Sequence, residues 1–115
     1  MDAFVSQYLQ TALWSSSNLD SGKPLSDAYT IADIHPVTLE MAVKDCDLFR
    51  QQAGDLLDGI DDEQAGYDFW LTRNHHGAGF WDRGLGEIGE KLTKLSHQFG
   101  SVDLYPGTDN KIHEA

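Results

Sequence analysis

Basic side chains are scarce in this chain. Eight Lys and Arg face nineteen Asp and Glu, a formal net charge of −11. A surface so negative repels the phosphate backbone of nucleic acid, whose binders are normally basic. Direct DNA or RNA binding is therefore not expected. Cysteine is almost absent. Cys46 alone cannot form an internal disulfide, so stability must come from a packed core, and a reducing compartment fits. At 115 residues the chain is long enough for one domain spanning 1–115, with roughly two thirds of its unfolded surface buried. No apolar run approaches the ~20 residues of a membrane span. The opening MDAFVSQYLQ carries Asp2 and no basic stretch, so it lacks the pattern of a secretory signal. Together these absences predict a soluble, cytoplasmic protein with no membrane partner.

The acids that are present are unevenly placed. No Lys or Arg lies between Arg50 and Arg73, while Asp55, Asp58, Asp61, Asp62, Glu63 and Asp68 all do. Asp61, Asp62 and Glu63 suit a helix start, where negative charge is favoured by ~0.3–1 kcal/mol. That accounts for part of the cluster and not for its one-sidedness. Asp58, Asp62 and Glu63 are expected on one exposed negative face that attracts a basic protein surface.

Aromatic and Arg side chains crowd into residues 67–86, YDFWLTRNHHGAGFWDRGLG. Phe69, Trp70, Phe80 and Trp81 fall there with Arg73, Arg83, His75 and His76, interleaved with Gly77, Gly79, Gly84 and Gly86. Trp and Arg dominate recognition hot spots. Trp70, Arg73, His76, Trp81 and Arg83 are therefore candidate partner contacts. The same aromatics also suit a core closed over helix ends, with the two Arg paired to nearby acids.

The hydrophobic periodicity predicts a mainly α fold of about four helices round one core, with a small C-terminal β-hairpin. A first helix covers residues 3 to 14. Ser15 to Pro24 form a polar loop. The clearest helix runs from about Pro36 to Asp58, with Pro36 at its first turn. Its apolar stripe is Leu39, Val43, Cys46, Phe49, Ala53, Leu56 and Ile60. Cys46 on this stripe implies a buried, inert thiol. Asp61 caps a third helix from about Asp62 to Arg73, ended by Gly77. The alternative is an α+β fold in which residues 67–82 form a second hairpin. The opening DDEQA suits a strand poorly and favours the helix. A fourth helix spans about Gly84 to Phe99, capped by Asp82, with Leu85, Ile88, Leu92, Leu95 and Phe99 inward. Gly86 and Gly89 weaken it by ~1 kcal/mol each relative to Ala and permit close approach of another backbone. Val102–Tyr105 and Lys111–His113 flank a turn on Pro106, Gly107, Asp109 and Asn110.

Catalytic signatures are missing. There is no G-x-S-x-G elbow, no G-K-[ST] phosphate cradle, and GAGFWDRGLG is not a dinucleotide fingerprint. Adjacent His75 and His76 point apart on a helix or a strand, which does not make a metal pair. No metal and no cofactor is expected. His76, Asp82 and Asp68, with Arg73 or Arg83 for an anion, form the best acid–base set.

The run DFWLTRNHHGAGFWDRGLG resembles one carried by small, acidic, functionally uncharacterised proteins of tailed bacteriophages. ALWSSS, IADIHPVTL and GSVDLYPG are similar to them as well, so the resemblance extends over most of the chain. Where those proteins have Asn-Gly-His-Gly, this chain has Asn74-His75-His76-Gly77. The resemblance implies a phage or prophage origin and carries no activity with it. It makes the leading expectation a non-enzymatic factor in the host cytoplasm. Such a factor binds a host protein or complex with a basic surface and inhibits its nucleic-acid handling or defence, in the manner of an anti-CRISPR. The alternatives are a small-molecule binder or small enzyme with a pocket around residues 69–83, and a phage structural or assembly component.

Overall fold

The structure, a computed structural model, describes all residues 1–115. Four helices carry the fold: α1 (Ala3–Ser15), α2 (Pro36–Ala53), α3 (Asp62–Arg73) and α4 (Glu87–Gln98). Two short antiparallel strands close the chain, β1 (Leu104–Pro106) and β2 (Ile112–Glu114). The architecture is thus mainly α with a small C-terminal hairpin, as the periodicity predicts. The rival hairpin over 67–82 is not formed. No helix is long and apolar enough to cross a membrane.

Three of the four helices begin at a side-chain acceptor that holds a free N–H group. Asp2 caps α1 by accepting from Val5 N, and Asp61 caps α3 by accepting from Gln64 N. At α2, His35 Nδ1 accepts from Val37 N ahead of Pro36. The helix α4 starts later than its stripe predicts, at Glu87, and is capped by Gly86 rather than Asp82. Gly84 (φ 68°) and Gly86 (φ 61°) hold left-handed backbone that a helix cannot continue through. Asp82 instead ends a short 3₁₀ turn, Phe80–Asp82. Gly54, at φ 50°, likewise ends α2 before Asp58, and the chain continues as a 3₁₀ turn over Gly54–Leu57.

The core forms where α1 lies against α3. Gly66 makes this contact possible, because a Cβ there would overlap the carbonyl oxygen of Phe4. Gly89 plays the same part for α4, where a Cβ would stand 2.9 Å from Phe80 O. Around these approaches sits an aromatic cluster. Phe49 stacks on Phe69 at 4.1 Å, Phe99 meets Phe69 edge-on at 5.3 Å, and Tyr8 meets Trp70 edge-on at 5.4 Å. Such pairs add ~0.5–1.5 kcal/mol each beyond the area they bury.

The helical phase of α2 differs slightly from the expected stripe. Thr38, Ala42, Cys46, Phe49 and Ala53 are buried, while Leu39 and Val43 are only partly so. Strand β2 packs at this end, where Thr38 Oγ1 accepts from Glu114 N at 3.2 Å, so small side chains face inward there. In α4, Leu92 and Ser96 are buried and Ile88 is exposed, which turns the expected stripe by part of a turn. The hairpin is held to the body through His35 N, which donates to Ile112 O at 2.9 Å.

Candidate functional site

The two ends of the central segment take opposite roles. From Asp68 to Arg73 every residue of α3 is buried. Phe69 lies in the aromatic cluster. Trp70 is buried too, with its indole Nε1 donating to Ser15 Oγ at 2.7 Å, so its one polar atom is satisfied. Arg73 is the most unexpected member. Its side chain is 2% exposed, and its guanidinium serves four acceptors. Nε donates to Gly100 O, Nη2 to Phe99 O, and Nη1 to both Tyr8 Oη and Asp45 Oδ2, all within 2.8–2.9 Å. Burial works against its charge, and Tyr8 and Asp45 more than offset that, so its pKa is raised. Arg73 therefore joins α1, α2, α3 and the end of α4 from inside. On this geometry Trp70 and Arg73 offer no surface to a partner.

Beyond Arg73 the chain emerges. His75 takes left-handed backbone (φ 57°) and stacks its ring on His97 at 4.2 Å. His76 is exposed. Phe80 turns back into the core, its N–H donating to Thr72 Oγ1 at 3.1 Å, and this leaves Trp81 55% exposed. Arg83 is pinned by a fork of hydrogen bonds to Asp68, the shortest 2.9 Å, with 33% of its side chain exposed against 1% for Asp68. Its Cζ lies 5.7 Å from the ring centre of Tyr67. Of the expected contacts in this segment, His76, Trp81 and part of Arg83 reach the surface, and they do not share one pocket.

Every acid from Asp55 to Glu63 is exposed, while Leu56, Leu57 and Ile60 between them pack on the core. Asp55 and Asp58 lie on the turn after α2, Asp61 caps α3, and Asp62 and Glu63 fill its first turn. None of these acids is in an ion pair. All three Arg are engaged elsewhere: Arg50 with Asp2 and Asp47, Arg73 with Asp45, and Arg83 with Asp68. Arg83 shares a depression with Asp61 and Glu63, but its ion pair is with Asp68.

Of the acid–base candidates, Asp68 is taken up by its pair with Arg83. Cys46 is buried, and burial pushes its thiol pKa upward, away from the reactive thiolate. No three His, Cys, Asp or Glu side chains gather where they could hold a metal. A cleft of about 820 Å³ lies between the serine loop and the hairpin, and His76 and Asn74 line it beside Ser16, Asn18 and Tyr105. Its lining includes neither Asp82 nor any Arg, so the acid–base set of the sequence does not converge there.

Sequence reasoning missed two features. Trp14 is 57% exposed at the end of α1. Its signal was its phase, one step off the stripe of Phe4, Val5, Tyr8, Leu9, Ala12 and Leu13. Asp45, the acidic partner of Arg73, had no local signal, because the pair joins residues from two helices. Compared with family models, with curated proteins and with solved structures, the chain matches none.

Proposed function

We propose that this chain is a non-enzymatic, phage-encoded binding factor that inhibits a host nucleic-acid-handling or defence complex by occupying a basic surface of it. One observation carries the reading. Asp55, Asp58, Asp61, Asp62 and Glu63 form an exposed acidic run with no cation of the chain paired to it. Uncompensated like charges destabilise a fold by self-repulsion. Their placement on one continuous stretch supports a role outside the fold. A cationic channel that holds nucleic acid phosphates is the complementary surface, and charge complementarity would speed and select that encounter. The phage origin rests on the resemblance of the central run.

Affinity purification of the tagged chain from host cells, beside a variant with Asp58→Asn, Asp62→Asn and Glu63→Gln, tests this. The expected result is a nucleic-acid-binding host protein retained by the parent chain and lost by the variant. Equal retention by both chains would remove the acidic surface from the mechanism.

A further inference from the structure

Beside the acidic run lies a second feature, with aromatic walls. A groove of about 380 Å³ runs between α1 and the segment 25–33, lined by Trp14, Tyr29, Ile31 and Tyr67 with Gln7 and Gln10. No charged side chain lines it. Gln7 and Tyr67 also border the neighbouring depression that holds Asp61, Glu63 and Arg83. The aromatic groove thus opens directly onto the N-terminal end of α3 and its acids. The segment forming its other wall carries Asp27 and Asp33 and no basic residue. Arg83, the one cation at this junction, is already neutralised by Asp68.

We infer that this groove is a docking site for an extended, arginine-rich peptide segment of the partner. The inference rests on the acidic-surface reading and adds where and how the basic chain lies. The π faces of exposed Trp14 and half-buried Tyr29 and Tyr67 attract a cation. A guanidinium plane stacks on such faces while its N–H groups reach carboxylates, which an ammonium does less well. Tyr67 already shows this preference within the chain, with the Arg83 guanidinium 5.7 Å from its ring centre. Arginine side chains lying along Trp14 and Tyr29 would place the following residues against Glu63 and Asp61. The amide nitrogens of Gln7 and Gln10 donate to Thr11 Oγ1 and Ser6 Oγ, which leaves their amide oxygens to accept from the peptide backbone.

The test uses the full chain and two short synthetic peptides, one alternating glycine with arginine and its lysine counterpart. Backbone amide and indole NMR shifts locate binding, and a fluorescence titration gives affinity. The expected shifts fall on the Trp14 indole and on Gln7, Gln10 and Tyr67, with the arginine peptide bound more tightly. Trp14→Ala should weaken that peptide roughly fivefold or more, while Glu63→Gln weakens both. Since Trp14 is mainly exposed, its variant keeps the fold, which a thermal melt verifies. Shifts confined to residues 55–63, with Trp14→Ala unchanged, would overturn the groove and leave the acidic surface standing. Binding of neither peptide would overturn both. A Trp14 signal that moves with protein concentration alone would assign the groove to a second copy of the chain and overturn the inference.

Discussion

Arg73 Nη1 lies 2.8 Å from Asp45 Oδ2, and the pair is lopsided, with the cation 2% exposed and the carboxylate 31%. The Arg is fully inside the fold, so its loss cannot be fully repaired by water. Arg73→Ala should cost on the order of 3 kcal/mol, because Tyr8 Oη, Phe99 O and Gly100 O lose their donor and a cavity is left, while partly exposed Asp45 regains water. Against ~5–15 kcal/mol for a whole domain, that is a large share. Arg73→Lys should fall in between, since one ammonium cannot reach Gly100 O, Phe99 O, Tyr8 and Asp45 together. Urea unfolding of both variants checks this. An Arg73→Ala variant as stable as the parent would show that these hydrogen bonds do not hold the helices together.

The tryptophans should separate cleanly by truncation. Trp70→Ala removes a buried ring and should cost ~3–5 kcal/mol, whereas Trp81→Ala should cost little. Acrylamide should quench Trp14 and Trp81 and spare Trp70, which single-Trp variants can resolve.

His75 occupies left-handed backbone at φ 57°, where glycine is at ease and a side chain is not. His75→Gly should therefore be neutral or stabilising by up to about 1 kcal/mol, less whatever its stacking on His97 contributes. The change is read as a Tm shift of a few degrees upward. A clear loss of stability would show that the imidazole pair matters more than the backbone.

Glu114 gives a pH signature. Burial, and after it the charge of Asp45, raises its pKa, with Arg73 opposing, and its Oε2 has no hydrogen-bond partner. A carboxyl whose folded pKa is raised binds more protons in the native state, so it destabilises as pH rises past its ordinary value. Glu114→Gln should then stabilise the chain at pH 7 and change nothing below about pH 4. Asp2 works in the other sense. The Val5 N–H and then Arg50 lower its pKa, so the stability that it contributes is present at neutral pH and lost on strong acidification. Urea midpoints of Glu114→Gln and of Asp2→Asn across this range measure the two effects.

How much of this was legible in the sequence depended on the range of the deciding contact. The α3 helix, its Asp61 cap, buried Cys46 and the tail hairpin all followed from local pattern. Trp70 and Trp81 looked alike because the last two turns of α3 are buried all round. Periodicity carries no phase in such a segment. What placed Trp70 and Arg73 inside were partners far along the chain, namely Ser15, Tyr8, Asp45 and Gly100. The exposure of Asp58, Asp62 and Glu63 was readable because exposure of charge needs no partner.

Whether the acids steer the encounter is decided by the association rate of the captured partner with the parent chain and with the Asp58→Asn, Asp62→Asn, Glu63→Gln variant, at low and at high ionic strength. Asp62 and Glu63 favour the first turn of α3 by ~0.3–1 kcal/mol each, and removing mutual repulsion offsets part of that, so the variant should fold. The parent on-rate should fall steeply with salt, and the variant on-rate should be slow at low salt and nearly flat. Equal rates for the two chains, or a parent rate indifferent to salt, would contradict steering by these acids.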